Sequence, residues 1–254
     1  MIQTKKIPFF ILIVMFALFP MFFTEKGSTI SAQNTEQKVE TTKLLCEGCE
    51  LVRQKKYAEA AKVFEKAIEL DPTRRGAHTN LSWMYLELGR YEDAAATARK
   101  EIALYPESSM AHNNLGFALT QLGKFEESIL ELQKAIALDV RNTKAHINLG
   151  YAFNSLKRYD EAVSALEFLT ESNPNYAQGF ASLASAATMA GQKEKALKAS
   201  LTYVNLKPNS VPALLSLADI YLSIGNKEES LKQYKIIKEL DSAAAENLLA
   251  RINK

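Results

Sequence analysis

The sequence predicts an all-α fold built from stacked helix pairs, on three observations. First, from Thr41 to Ala244 the chain repeats itself every 34 residues, giving six units without a gap. Second, two columns of that register hold small residues throughout. The eighth position is Gly48, Ser82, Gly116, Gly150, Ala184 and Ala218, and the twentieth is Ala60, Ala94, Ser128, Ala162, Ala196 and Ser230. Small side chains in phase mark places where two helices approach closely. Third, Pro72, Pro106, Pro174 and Pro208 share the thirty-second position, where a residue unable to continue a helix separates one unit from the next; Val140 and Ser242 are the exceptions.

The amino-terminal segment comes first in the chain. Lys5 and Lys6 precede Ile7 to Phe23, an uncharged apolar run near the minimum length for a helix to cross a bilayer. Small residues at Ser31 and Ala32 suit a signal peptidase, whereas Glu25 and Lys26 and the length of the run suit a retained anchor. Residues 1–32 are therefore expected to be a signal peptide or a signal anchor. Either reading puts the body outside the cytoplasm, periplasmic or secreted, with the membrane touched only through this segment. Residues 33–40, polar and without glycine, are expected to form a linker.

Each repeat then reads as two amphipathic helices hinged near its middle. In the third unit Leu115, Gly116 and Leu119 share a face, Ser128, Leu132 and Ala135 share another, and Gly123 stands between them. Such a pair cannot bury both stripes alone and needs its neighbours. The seventh position is Leu81, Leu115, Leu149, Leu183 and Leu217, with Glu47 in the first unit. Tyr57, Tyr91, Phe125 and Tyr159 hold the seventeenth, replaced by Lys193 and Lys227 later.

These columns resemble the tetratricopeptide repeat family over everything after the linker. The resemblance implies a right-handed superhelical solenoid of six helix-turn-helix repeats, with units 41–74, 75–108, 109–142, 143–176, 177–210 and 211–244. Residues 245–254, with Leu248, Leu249 and Ile252 at helical spacing, are expected to cap the last unit.

Composition narrows the function. Thirty-one basic and 29 acidic side chains leave a net charge of +2, so no polyanion such as nucleic acid is expected as partner. No paired carboxylates, nucleophile with a base, phosphate loop or metal cluster stands out, so neither an enzyme nor a cofactor is expected. The two cysteines, Cys46 and Cys49, form C-E-G-C in the first helix. They are read as a local disulfide or as small packing residues, with a redox or metal role the least favoured. His78, His112 and His146 recur at the fourth position and are expected to be buried packing residues, because equivalent positions in adjacent repeats lie too far apart to share one ion.

Helical geometry turns the sixth and ninth positions away from the packing stripe. There the chain carries Asn80, Asn114 and Asn148 beside Trp83, Phe117 and Tyr151. Amides offer a donor and an acceptor to a peptide backbone, and aromatics offer apolar area. With Lys144, these residues are the candidate peptide-binding groove. The expected function is a non-enzymatic interaction module that holds an extended peptide. The alternative is a scaffold or assembly factor that binds folded partners, or its own copies, through its convex face or ends.

Overall fold

The computed structural model describes residues 34–253, so the expected signal or anchor segment lies outside the described residues. Among the described residues there are thirteen α-helices and no strand. They fall into two compact units, divided after Met84.

The first unit holds α1 (residues 34–53), α2 (Tyr57–Leu70) and most of α3 (Ala77–Glu87). Helix α1 begins at residue 34, so residues 34–40 are helical rather than the linker the sequence suggested. The cause is local: Gln, Glu and Lys favour helix, and nothing between Asn34 and Val52 stops one. Thr41, fully buried, ties the helix onward through its Oγ1, which donates to the Gln37 carbonyl at 2.8 Å. Helices α1 and α2 meet at Gly48, where an added Cβ would stand 2.5 Å from the buried ring of Phe64.

The second unit holds α4 (Tyr91–Leu104), α5 (Ser109–Gln121), α6 (Phe125–Leu138), α7 (Thr143–Ser155), α8 (Tyr159–Ser172), α9 (Ala177–Met189), α10 (Lys193–Leu206), α11 (Val211–Ser223), α12 (Lys227–Leu240) and α13 (Ser242–Ile252). Each helix packs on the next in the chain. In addition α5 packs on α7, α7 on α9, α9 on α11, and α11 on α13. This second set of contacts makes a repeat array rather than a row of isolated hairpins. The small columns explain the spacing. A Cβ on Gly116 would lie 2.5 Å from Leu132 Cγ, and one on Gly150 would lie 2.8 Å from Leu166 Cδ1. Where Ser128 replaces the usual alanine, its buried hydroxyl donates to the Gly116 carbonyl at 2.6 Å, so its polarity is satisfied inside the contact.

The turn within each repeat depends on one backbone setting. The fifteenth position has positive φ in every unit: Lys55, Gly89, Gly123, Lys157, Gly191 and Gly225. The two lysines adopt there a conformation that costs an L-residue roughly 1–2 kcal/mol. Between repeats, Ser108, Asn142 and Ser210 cap the following helix by accepting a backbone N–H two or three residues into it. At the carboxyl end the register slips. With Ser242 in the proline column, Asp241 serves both as the C-cap of α12 and as the N-cap of α13, and the capping helix begins at Ser242 rather than at 245. Its apolar side, Ala245, Leu248 and Ile252, is buried while Glu246, Asn247 and Arg251 face out.

All three histidines are buried, as expected. In the second unit they fasten the inter-repeat turns: His112 Nε2 donates to the Pro106 carbonyl and His146 Nε2 to the Val140 carbonyl, each at 3.0 Å. His112 Nδ1 also faces Glu131 Oε2 at 2.6 Å. Burial pushes the Glu131 carboxyl up, but the hydrogen bonds and charges of Lys134 and His112 outweigh it and leave the group below its ordinary value.

Three outcomes are expected in denaturant titrations. Gly116→Val drives a side chain into Leu132 and lowers stability by about 2–3 kcal/mol. Lys157→Gly relieves the left-handed strain and, after the greater entropy of unfolded glycine, raises stability by roughly 0.5–1 kcal/mol. Because Glu131 is held below its unfolded value, its contribution is complete above about pH 4.5 and is lost as pH falls through the folded value. Glu131→Gln therefore destabilises near neutral pH, and the gap from wild type closes in acid.

Candidate functional site

A cavity of about 470 Å³ opens on the first helices of the third, fourth and fifth repeats. Helix α5 contributes Phe117 and Gln121; α7 contributes Ile147, Asn148, Tyr151 and Asn154; α9 contributes Gln178, Ala181, Ser182 and Ser185. Leu166 of α8 completes the lining. In the repeat register these first-helix residues occupy the second, fifth, sixth, ninth, twelfth and thirteenth positions. Those spacings follow i, i+3, i+4, i+7, which is one stripe of an α-helix, and the stripe differs from the one that packs against second helices. The fold that buries Leu115 and Leu149 thus presents Phe117 and Tyr151 elsewhere on the same helices.

The chemistry of the lining is neutral. Amides, hydroxyls and aromatic or aliphatic groups alternate, and among the described residues no charged side chain lines the cavity. Tyr151 is 53% exposed, a large ring turned to solvent. Asn148 Nδ2 donates to Asn113 Oδ1 at 3.0 Å, and Asn113 Nδ2 in turn donates to Asn114 Oδ1 at 3.3 Å. This relay links adjacent repeats and fixes the orientation of the Asn148 amide.

The candidate residues divide. Phe117, Asn148 and Tyr151 converge on this cavity. Asn114 is buried, its Oδ1 accepts from Asn113 Nδ2, and it is not part of this cavity's lining. Lys144 is exposed on the first turn of α7 and is not part of the lining. Asn80 and Trp83 belong to the first unit. There they line a separate cleft of about 410 Å³ with Cys49, Val52, Arg53 and Phe64.

Cys46 and Cys49 are exposed free thiols on α1. The local disulfide is not formed, and the packing reading fails because neither side chain is buried. Residues i and i+3 of a regular helix hold their Cβ atoms about 5–6 Å apart, against the roughly 3.8 Å that a disulfide requires. Sequence reasoning missed Gln121, Ile147, Asn154, Gln178, Ser182 and Ser185. The signal was available: each lies three, four or seven residues from a named groove position, or at its equivalent one repeat on.

A second hollow of about 450 Å³, among α8, α9 and α10, has the opposite character. It carries Glu167, Glu171, Glu194, Lys195 and Lys198, and Lys195 Nζ pairs with Glu167 Oε1 at 2.6 Å. Among the described residues no group of three or more His, Cys, Asp or Glu side chains is placed to hold a metal ion.

Comparison with known proteins agrees with the geometry. Family models described as the tetratricopeptide repeat match residues 47–109 and 143–176, and one described as the TPR repeat matches residues 118–155. No curated protein matches the chain. Many solved structures do. PilW, described as a widely conserved type IV pilus biogenesis factor, superposes with a TM-score of 0.75 at 22% identity, over 82% of this chain and 98% of its own. PilF of Pseudomonas aeruginosa gives 0.71 at 17% identity, over 85% and 99%. YrrB, described as a TPR protein with an unusual peptide-binding site, gives 0.58 at 20% identity, over 74% and 97%. At these identities the likeness concerns the fold. Register, helix pairing and family models agree: the chain belongs to the tetratricopeptide repeat family.

Proposed function

We propose that the chain is a non-enzymatic protein-interaction module that holds an extended, uncharged peptide segment along the first-helix stripe of α5, α7 and α9. The observation that carries this reading is the lining: a cavity of about 470 Å³ with an exposed Tyr151, the oriented Asn148 amide, and no charge among the described residues. An extended backbone presents N–H and C=O groups at regular intervals, and Asn148, Asn154, Gln121 and Gln178 meet them with both donors and acceptors. Phe117, Tyr151 and Ile147 supply apolar area for alternate side chains. A carboxylate or phosphate ligand would find no counter-charge there. The centre of the site is one repeat further along the chain than the second-to-fourth units that the asparagine column suggested.

The family supports a protein partner, and YrrB, described by its peptide-binding site, is an instance of the same fold with that use. Residues 7–23 support placing the module outside the cytoplasm, tethered or released, and the fold shared with PilW is compatible with work in an extracytoplasmic assembly. A second reading, a scaffold contacting folded partners, draws on Leu130, Leu138, Val140 and Phe168, apolar residues exposed on or beside α6 and α8.

Selection of displayed random peptides on the full chain tests both. Enriched sequences should be poor in charge. Tyr151→Ala and Gln178→Ala should each weaken their binding by about tenfold, about 1.4 kcal/mol, with unchanged helical circular dichroism. Lys144→Ala should bind as wild type. Peptides insensitive to the groove variants but lost on Leu130→Ser and Phe168→Ser would select the scaffold reading instead.

A further inference from the structure

Asn154 stands at the twelfth position of its repeat, and the other repeats show what that column holds when it serves packing alone. Val52, Leu86 and Leu222 are apolar there. Thr120 and Thr188 donate their hydroxyls to the carbonyls of Gly116 and Ala184, one turn back on their own helices, at 3.0 and 2.7 Å. Asn154 does neither. Its Oδ1 is covered from solvent and accepts no hydrogen bond among the described residues, although the side chain forms part of the wall of the groove cavity. A covered acceptor left unmet destabilises the chain that carries it, so the residue is placed for something other than packing. On the same wall Asn148 has already spent an amide hydrogen on Asn113, which leaves α7 with more acceptor sites than free donors.

We propose that Asn154 selects partner segments that send a primary carboxamide, the side chain of glutamine or asparagine, into the cavity of α5, α7 and α9. This rests on the peptide-holding reading above and adds the side chain that the site requires. Because the acceptor is covered, a ligand backbone crossing the mouth of the cavity does not reach it. A side chain that enters the cavity does, once the Asn154 amide turns about its Cβ–Cγ bond, a soft torsion. A carboxamide brings two N–H donors for the amide oxygens of Asn154 and Asn148, and one acceptor for the hydroxyl of Ser182 or Ser185 or the amide of Gln121. A hydroxyl brings a single donor. An ammonium or guanidinium would lose its hydration in a lining that holds no carboxylate among the described residues. An apolar side chain leaves the oxygen unmet. The preference arises because the complex makes a hydrogen bond that the free chain lacks.

A displayed random-peptide library is selected in parallel on the full chain and on its Asn154→Leu variant, and the wild-type binders kept are those that Tyr151→Ala weakens. Among them glutamine or asparagine should be enriched at one fixed position by about fivefold or more over the input, and not in the Asn154→Leu selection. An analogue of the most enriched peptide, with methionine at that position, should bind wild type about tenfold more weakly but lose less than about twofold on Asn154→Leu. The variant also has a structural readout. Leucine is what the column holds in two other repeats, and here it replaces an unmet acceptor, so the denaturant midpoint should equal or exceed that of wild type. A lower midpoint would show the amide already bonded in the folded chain and would overturn the proposal. So would Tyr151-dependent peptides without a carboxamide preference, or a preference that persists in Asn154→Leu, and both leave the groove reading standing. Binders indifferent to Tyr151→Ala would remove the groove reading and this inference with it.

Discussion

The structure depends on one close approach, repeated. At the eighth position the first helix meets the second over a small residue, and in the third and fourth repeats there is no room for a Cβ, so that Leu132 rests against Gly116 and Leu166 against Gly150. Packing at this distance constrains the rotation of each helix about its own axis, because the eighth position must face the second helix. Everything else on the helix surface then follows by angle. Leu115 and Leu119 go into the core beside it, His112 meets the preceding turn, and the stripe with Phe117 and Gln121 is carried round to another side. A helix turned by two residues would put Phe117 and Tyr151 where Leu115 and Leu149 stand.

Polar side chains within the packed region are placed to reinforce that geometry. Ser128 returns its hydroxyl to the Gly116 carbonyl, and His112 and His146 pin the carbonyls of the preceding inter-repeat turns. The relay from Asn148 through Asn113 to Asn114 holds adjacent first helices in register. Each satisfies backbone or amide groups that would otherwise be stranded in a dry contact, where an unmade hydrogen bond costs about 1–3 kcal/mol. His146 differs from His112 in lacking a carboxylate: at the place corresponding to Glu131 the fourth repeat has Ala165, and the imidazole stacks on Phe168, with ring centroids 5.2 Å apart.

The repeat was legible because its constraints are steric and local. A small residue every 34 positions, and a proline at the junction, have few explanations, and the helix pairs they imply are present from Tyr57 to Leu240. The ends were less legible. Helix α1 extends back to residue 34 because polar residues of good helix propensity resemble a linker in composition, and α13 starts early because Asp241 supplies a cap that the register does not anticipate. The groove was half legible. The stripe through the sixth and ninth positions was readable from the register, and three of its residues, Phe117, Asn148 and Tyr151, line one cavity. What sequence could not supply was depth. Asn114 and Asn148 occupy the same column, yet Asn114 is buried and Asn148 only partly so. Lys144 shares the second position with Gln178, but only Gln178 reaches the lining.

The most direct measurement of the central idea is an amide and methyl chemical-shift map of the chain titrated with a selected uncharged peptide. Perturbations should concentrate on Phe117, Gln121, Asn148, Tyr151, Gln178 and Ser185. Perturbations concentrated instead on Leu130, Leu138 and Phe168, with the first-helix stripe silent, would contradict it.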